Sequence, residues 1–159
     1  MKTRLLFVCL GNICRSPSAE NIMNHLIEQN LVTNIICDSA GTSSYHIGSA
    51  PDRRMTAAAK QRGIQLVGQA RQFGPKDFDQ FDWILAMDHS NYRDILSLDR
   101  AGQYEHKVKL MCDFCSHYTD KEVPDPYYGG PEGFNYVINL LLDACDGLLT
   151  FVEAQSNPV

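Results

Sequence analysis

The stretch LLFVCLGNICRSPSAENIM, residues 5–23, contains the features that predict the fold of this chain. It begins with four consecutive apolar residues, a pattern typical of a β-strand that is buried on both faces of a sheet. A turn that contains Gly11 follows. Pro17 then stands where we expect the first residue of a helix, because the N–H that proline lacks would be unpaired at that position. A strand, a turn and a helix in this order indicate the beginning of an α/β domain.

The rest of the chain continues this alternation. Apolar runs predict strands at residues 5–8, 35–37, 83–87 and 108–111. Helices are predicted at residues 17–30, at residues 51–63 with Gly63 as the C-terminal cap, at residues 90–98, and from Pro131 onward. Strands that alternate with helices predict a doubly wound α/β fold, with a parallel sheet and helices on both faces. We expect one domain over residues 1–159, with the last few residues disordered.

Size and charge exclude several classes of protein. The chain has 159 residues and a net charge of -5, so it lacks the excess of Lys and Arg on which nucleic-acid binding depends. No segment approaches the roughly 20 apolar residues that span a bilayer. The apolar run at residues 5–8 ends without a signal-peptide cleavage site. Six cysteines in a chain of this length are typical of reduced thiols. We therefore expect a cytoplasmic protein that binds neither nucleic acid nor membranes.

Three loops are candidates for a functional site. Residues 9–16 connect the first strand to the first helix, and the stretches at residues 40–50 and 112–130 are longer than simple connections. In open α/β sheets, ligands bind beyond the carboxyl ends of the strands. We therefore expect the site in the loop at residues 9–16, with the two long loops beside it.

The loop CLGNICRS at residues 9–16 has the composition of an anion-binding turn. Its backbone N–H groups can converge on an anion, and the dipole of the following helix adds positive potential there. Gly11 and Asn12 tolerate the left-handed backbone that such a turn needs. In this field we expect Cys9 to be a thiolate nucleophile and Arg15 to bind two phosphate oxygens. Ser16 is placed to donate a hydrogen bond to the sulfur.

Residues 8–17, VCLGNICRSP, resemble the active-site signature of the low-molecular-weight protein tyrosine phosphatases. The similarity covers essentially the whole chain. It includes, in the family's order, DS at residues 38–39, ARQ at 70–72, MDxSN at 87–91 and DPYYG at 125–129. The resemblance implies a four-stranded parallel sheet with helices on both faces and a phosphate-binding loop after the first strand.

The resemblance also implies roles for individual residues. Cys9 is the expected nucleophile, Arg15 the residue that binds phosphate, and Asp125 the general acid and base. Ser39 supports the phosphate loop through Asn12, which is itself expected at the substrate. The other residues expected at the substrate are Leu10, Gly11, Ile13, Cys14, Ser16, Tyr45, Tyr127 and Tyr128. The implied substrates are tyrosine-phosphorylated proteins, no metal or organic cofactor is needed, and the protein is a monomer or self-associates weakly.

The role of Asp125 also has an independent chemical rationale. A phenolate leaving group needs a proton, and a carboxylic acid on a loop over the phosphate can supply it. The same group can then accept a proton from the water that cleaves a phosphocysteine. Pro126 stiffens this loop and confines Asp125 to extended backbone angles. Tyr127 and Tyr128 follow, and we expect their rings to flank a flat phosphotyrosyl ring.

The remaining cysteines and histidines are less informative. The resemblance implies that Cys14 can close a reversible disulfide with Cys9 on oxidation, and an ordinary buried thiol is the alternative. Cys112 and Cys115 have the spacing of half a zinc site or of a redox pair, but no second pair of ligands accompanies them, and we expect ordinary packing. Where some relatives have a His that supports the phosphate loop, this chain has GQ at residues 68–69. The five histidines are scattered, and we assign them no catalytic role.

Two alternatives to a tyrosine phosphatase remain open. Arsenate reductases of one class share this fold and cysteine loop, and Cys112 and Cys115 could carry the electrons that arsenate reduction requires. The pair Tyr127 and Tyr128 favours the phosphatase, because an aromatic wall has no use around a small oxyanion. A phosphate-binding module without catalysis would lack one of the three expected catalytic residues, and this chain has all of them.

Overall fold

The computed structural model describes residues 1–156, in which four parallel strands form one sheet with the order β2-β1-β3-β4. The strands are β1 (Thr3–Cys9), β2 (Ile35–Gly41), β3 (Trp83–Ala86) and β4 (Val108–Leu110). The predicted parallel α/β fold is confirmed, and each strand overlaps the apolar run that predicted it. The expectation of disorder in the last few residues falls on residues 157–159 and lies outside the described residues.

Five helices connect or follow the strands in the described part of the chain. They are α1 (Arg15–Gln29), α2 (Arg53–Lys60), α3 (Asp77–Gln80), α4 (His89–Ser97) and α5 (Pro131–Ser156). Short 3₁₀ helices lie at Glu105–Lys107 and Met111–Phe114. The helix α3 was not predicted from the sequence, because four residues are too few to show a helical repeat. Within residues 1–156, no helix has the combination of length and apolarity that crossing a bilayer requires.

The side chains of β1 alternate between two apolar layers, one on each face of the sheet. Leu5 and Phe7 pack with α1, α2 and α5, whereas Leu6 and Val8 pack with α3 and α4. All four side chains are inaccessible to solvent. Burial of such a side chain is worth about 1.5–3 kcal/mol. Because both faces are covered, the strand reads in the sequence as a continuous apolar run rather than as an alternating pattern.

The first helix begins earlier than the sequence predicted. Pro17 was expected at the first helical position, but α1 starts at Arg15, so Pro17 is the third residue of the helix. The prediction was wrong by two residues because the first four N–H groups of any helix lack a partner within it, and proline is tolerated at more than one of these positions. The N-terminus of α1 therefore lies inside the loop at residues 9–16, where its dipole favours negative charge.

A buried carboxylate on α5 holds the beginning of the long loop that leads to Asp125. Asp143 accepts hydrogen bonds from the backbone N–H groups of Ser116, His117 and Tyr118 at 2.9–3.2 Å, and from the Ser116 hydroxyl at 3.0 Å. Burial alone would raise the pKa of Asp143, but the backbone hydrogen bonds outweigh it and lower this pKa to about 2. The loop is thus attached to the longest helix by a group that must be ionised to hold it.

We predict that Asp143→Asn lowers the free energy of unfolding by about 2 kcal/mol at neutral pH, because an amide cannot accept all four hydrogen bonds. The folded-state pKa lies below the value of about 3.9 in an unfolded chain. The stabilisation is therefore present above about pH 4 and is lost as the pH falls toward about 2. Urea unfolding of wild type and variant between pH 7 and pH 2 measures the effect.

Asp146→Asn is the matched control for this experiment, because Asp146 is an exposed residue of the same helix. The control should follow the wild type at every pH. A difference between wild type and Asp143→Asn that stays constant from pH 7 to pH 2 would show that the charge of Asp143 does not hold the loop.

Candidate active site

The sheet topology places the candidate site at the carboxyl end of β1. The chain leaves β1 to form β2 on one side and later returns to form β3 on the other, which creates a switch point of the kind that binds ligands in α/β sheets. A cleft of about 480 Å³ opens at this point. Its lining residues are Cys9, Leu10, Gly11, Ile13, Cys14, Arg15, Ser43, Tyr45, His46, Asp125, Tyr127 and Tyr128.

The structure brings most of the predicted site residues into this one cleft. The two exceptions in the loop are Asn12 and Ser16, which are buried behind it and do not line the cleft. Ser39, on β2, is also outside the cleft and contacts Asn12 from behind. The loop therefore has a surface that faces a ligand and a second, buried layer that holds the loop in shape.

Close packing against the end of β2 shapes the loop. Asn12 has a φ of 57°, in the left-handed region predicted for this turn. The N–H groups of Thr42 and Ser43 donate to the carbonyls of Cys9 and Leu10, both at 2.9 Å. A Cβ atom on Gly41 would lie 2.7 Å from the Leu10 carbonyl oxygen, a separation that real Cβ atoms do not show. Glycine is therefore required here so that the loop can approach the sheet.

The Cys9 sulfur lies at the floor of the cleft and has two polar neighbours. The Ser16 hydroxyl oxygen is 3.0 Å from Sγ, and the backbone N–H of Asn12 donates to Sγ at 3.3 Å. The predicted contact between Ser16 and the sulfur is thus present. The Asn12 N–H donates to the sulfur, and the Ser16 hydroxyl can donate to it or accept from it.

The second thiol of the loop differs from the first. Cys9 and Cys14 are both free and buried. Burial, and then the negative charges of Asp52 and Cys9, raise the pKa of Cys14 to about 12. Cys14 is therefore a neutral thiol at physiological pH, and the disulfide implied for Cys9 and Cys14 stays a prediction.

The guanidinium of Arg15 is buried and held by three oxygen atoms. Its Nη1 donates to Asp88 Oδ2 at 2.7 Å and to the Val123 carbonyl at 3.0 Å, while Nη2 lies 3.6 Å from Asp125 Oδ2. Burial alone would lower the pKa of Arg15, but the negative groups Cys9, Asp88 and Asp125 raise it above its ordinary value. In the sequence, Asp88 stands out only as part of the motif at residues 87–91. The structure shows that it orients Arg15.

The carboxyl group of Asp125 lies on the rim of the cleft. Its side chain is 41% exposed, which leaves it accessible to a substrate, and its Oδ1 accepts a hydrogen bond from the Tyr127 N–H at 3.1 Å. Pro126 beside it is buried. Asp125 and Arg15 therefore share the cleft with the Cys9 sulfur, although they lie far apart in the sequence.

Aromatic rings form the sides of the cleft, and one of them was not predicted. The ring centroids of Tyr127 and Tyr128 are 5.0 Å apart. His46 lies between the two predicted walls, with its ring 4.9 Å from that of Tyr45 and 6.1 Å from that of Tyr127. No histidine was predicted to have a catalytic role. The signal that could have identified His46 is its position next to Tyr45, in the long loop at residues 40–50 that was predicted to lie beside the site.

A cation fixes one of these walls. The guanidinium of Arg54 lies 5.1 Å from the centroid of the Tyr127 ring and 4.7 Å from that of Phe134. Asp52, which caps α2, pairs with the same guanidinium at 3.0 Å. Cation–π contacts of this kind are worth about 0.5–1 kcal/mol at exposed sites. Arg54 thus joins Tyr127 to α2 and α5 and limits the positions that this ring can take.

The other cysteine pair lies outside the cleft. Cys112 lines a separate cavity with Asp113, Tyr118 and neighbouring loop residues, and this cavity shares no lining residue with the cleft at Cys9. Burial raises the pKa of Cys112 to about 12 and that of Cys115 to about 11. Among residues 1–156, no group of three or more His, Cys, Asp or Glu side chains is arranged to hold a metal ion.

Comparison with known proteins agrees with this geometry. Residues 4–157 match the family model described as low molecular weight phosphotyrosine protein phosphatase. A putative low molecular weight protein-tyrosine-phosphatase of Synechocystis is 65% identical over 148 residues, which are 92% of this chain and 94% of that protein. The crystal structure of an Entamoeba histolytica protein tyrosine phosphatase has a TM-score of 0.93 and 48% identity, covering 98% of this chain and 100% of that one. A Drosophila arginine phosphatase has a TM-score of 0.87 and 33% identity, covering 96% and 98%.

We predict that Gly41→Ala disrupts the loop, because the added methyl group would push the Leu10 carbonyl out of place. Displacements of about 1 Å at a reacting centre can cost roughly 100-fold in rate. We therefore expect kcat/KM for an aryl phosphate to fall by about that factor.

Gly74→Ala is the control, because a Cβ at that position meets no atom within 4 Å. It should keep the wild-type rate. Full activity of Gly41→Ala would show that the loop does not depend on this close packing.

Proposed function

We propose that this chain, which belongs to the low molecular weight phosphotyrosine protein phosphatase family and is a protein-tyrosine phosphatase, acts through a phosphocysteine intermediate on Cys9. The observation that supports this mechanism is the convergence of three groups in one cleft. A sulfur with two hydrogen-bond donors, a fixed guanidinium and an accessible carboxyl group lie there together. These groups correspond to a nucleophile, a phosphate-binding cation and an acid.

The first step transfers the phosphoryl group to the enzyme. The Cys9 thiolate attacks phosphorus, the bond between phosphorus and the aryl oxygen breaks, and the electron pair stays on that oxygen. Asp125 gives its proton to the same oxygen, so the phenol leaves neutral. Arg15 and the backbone N–H groups of the loop hold the three remaining phosphate oxygens.

The second step returns the enzyme to its starting state. Asp125, now a carboxylate, takes a proton from water, and the water oxygen attacks phosphorus. The bond between sulfur and phosphorus breaks, and Cys9 leaves as a thiolate that the Ser16 hydroxyl stabilises at 3.0 Å. Inorganic phosphate is the product, and Asp125 is protonated again for the next cycle.

The walls of the cleft support an aryl phosphate on a protein as the substrate. Tyr45 and Tyr128 are 86% and 94% exposed, so their rings are available to contact the polypeptide around the phosphotyrosine. Tyr127 and His46 lie deeper, where they can flank the ring itself. Because the Drosophila relative is an arginine phosphatase by name, phosphoarginine is the substrate against which this choice must be tested.

The geometry supports hydrolysis rather than arsenate reduction. A reductase needs further thiols near the nucleophile that supply two electrons to arsenate and are oxidised to a disulfide, and Cys112 belongs to a different cavity from Cys9. Consumption of thioredoxin or glutathione equivalents that depends on arsenate would contradict this choice.

We predict that Cys9→Ser abolishes hydrolysis of a phosphotyrosyl peptide, because a serine hydroxyl is a far weaker nucleophile than a thiolate. The variant should still bind inorganic phosphate, since the loop and Arg15 remain. Product release measured in the presence of a chelator, together with calorimetric titration of phosphate, tests both expectations.

Cys37→Ala removes a thiol of β2 outside the cleft and should keep turnover. Hydrolysis by Cys9→Ser at the wild-type rate would exclude Cys9 as the nucleophile. Faster hydrolysis of a phosphoarginyl than of a phosphotyrosyl peptide of the same sequence would contradict the proposed substrate.

We predict that Asp125→Asn lowers kcat/KM, which reports the first step alone, by about 10²–10⁴-fold for phenols that are poor leaving groups. The loss should be small for substrates whose leaving group needs no proton. A series of aryl phosphates with leaving groups of graded acidity measures this difference.

Asp113→Asn, at an exposed position near the beginning of the same loop, should leave the series unchanged. Equal losses for good and poor leaving groups would argue that Asp125 is not the acid.

A further inference from the structure

Glu20 is a half-buried carboxylate that the proposed mechanism does not use. It lies on α1, outside the cleft, and its Oε1 accepts a hydrogen bond from the Ser39 hydroxyl at 2.6 Å. Ser39 in turn lies 3.0 Å from Nδ2 of Asn12, the residue that shapes the phosphate loop. Glu20 is therefore two hydrogen bonds away from that loop.

The direction of these hydrogen bonds is determined by their two ends. The backbone N–H of Arg71 can only donate, so Oδ1 of Asn12 accepts it at 2.9 Å and the Asn12 amide must present its NH₂ group to the two serines. A carboxylate can only accept, so the single hydrogen of the Ser39 hydroxyl points to Glu20. The Ser39 oxygen is then left to accept from Asn12.

The same amide leads to the nucleophile. Asn12 Nδ2 donates to the Ser16 hydroxyl oxygen at 2.8 Å, and that oxygen lies 3.0 Å from the Cys9 sulfur. When Cys9 is a thiolate, only Ser16 can donate in this contact. A continuous set of hydrogen bonds thus connects Glu20 with the Cys9 sulfur, and the Asn12 amide donates toward both ends of it.

The surroundings of Glu20 leave Ser39 as its main partner. Burial raises the pKa of Glu20, and the Ser39 hydroxyl opposes this shift more strongly than the more distant Arg71 does, while Asp38 adds to it. Arg71 is itself paired with Asp38 and Asp77 at 3.1 and 3.0 Å.

A hollow of about 50 Å³ lies beside Glu20 and contains no basic side chain in its lining. Gly68 and Gln69 line it, at the position where some related chains have a His. The support that such a His would give to the loop is absent from this chain, and Glu20 reaches Ser39 directly.

We propose that Glu20 is a positioning residue of this phosphatase: as the hydrogen-bond acceptor of Ser39, it orients Asn12 and Ser16 toward the Cys9 sulfur. The inference rests on the proposed function, because it assumes that Cys9 leaves as a thiolate in the second step. It predicts a specific kinetic effect. Without the acceptor, Ser39 can turn its hydrogen toward the Asn12 NH₂ group, and two donors then face each other. Arg71 still holds the Asn12 oxygen, so the amide shifts rather than flips, and its contact with Ser16 weakens. Ser16 then stabilises the departing sulfur less well.

The test is transient and steady-state kinetics of Glu20→Ala with an aryl phosphate. We expect kcat to fall by roughly tenfold, less than the 10²–10³ seen when a donor to the reacting atoms is itself removed. Because the first step is spared, KM should fall with kcat, so that kcat/KM stays within about threefold of the wild type. A burst of about one phenol per enzyme should precede the slow turnover. A variant that was merely partly unfolded would lose kcat at constant KM and would show a smaller burst.

Three further variants separate positioning from folding. Glu20→Gln keeps an oxygen that accepts from Ser39 and should restore kcat to within about threefold of the wild type. Ser39→Ala should reproduce the burst and the low kcat, and the double variant with Glu20→Ala should be no worse than either single one. Glu28→Ala, at an exposed position of the same helix, should be unaffected.

Each outcome decides between the proposal and its alternatives. Wild-type kinetics of Glu20→Ala, additive losses in the double variant, or a Glu20→Gln variant as slow as Glu20→Ala would overturn the role of Glu20. If Glu20→Ala does not fold, Glu20→Met replaces it, because the methionine side chain fills the space of Glu20 without an oxygen that accepts from Ser39, and the same kinetic outcomes decide. Failure of the wild type to release phenol through Cys9 would instead overturn the proposed function.

Discussion

Hydrogen bonds from one buried amide hold the loop around Cys9, and the chemistry of the site depends on them. Asn12 has a left-handed backbone, donates to Ser16 and Ser39, and accepts from the N–H of Arg71. A different orientation of this side chain would leave buried donors unpaired, which costs about 1–3 kcal/mol for each group. The close contact between the loop and Gly41 adds a steric limit. Together these contacts keep the N–H of Asn12 and the hydroxyl of Ser16 directed at the sulfur.

The strands could be predicted because a strand that is buried on both faces has consecutive apolar residues in the sequence. Both faces of β1 are covered, so its apolar residues are consecutive and no tertiary information is needed to recognise them. The ends of the elements depend on finer detail. The start of α1 was placed two residues late because the sequence does not show that Arg15 and Ser16 already have helical geometry. The helix α3 has only four residues and depends on its packing, through Phe78, against the second apolar layer.

The residues of the candidate site also fall into two groups, those that the sequence identifies and those that only the folded structure identifies. Its loop residues are neighbours in the sequence and could be identified together, whereas Asp88, His46, Arg54 and Glu20 act through contacts that only the folded chain makes. Arg15 and Asp88 are 73 positions apart. Asp88 follows β3, which pairs with β1, so the two residues reach the same edge of the sheet. The topology, once known, explains their meeting, but the order of the strands cannot be read from an apolar pattern.

A chain with a net charge of -5 can bind a phosphate only where the local field outweighs the overall repulsion. Arg15 supplies less of this field than its charge indicates, since Asp88 lies 2.7 Å from Nη1 and Asp125 lies 3.6 Å from Nη2. The first contact is short and fixes the guanidinium, whereas the second is long enough for a phosphate oxygen to replace it. Much of the attraction must then come from the loop N–H groups and the N-terminus of α1, which are dipoles and need no counter-ion. Their direction is set by the shape of the loop, so the residues that hold this shape determine the affinity as well as the rate.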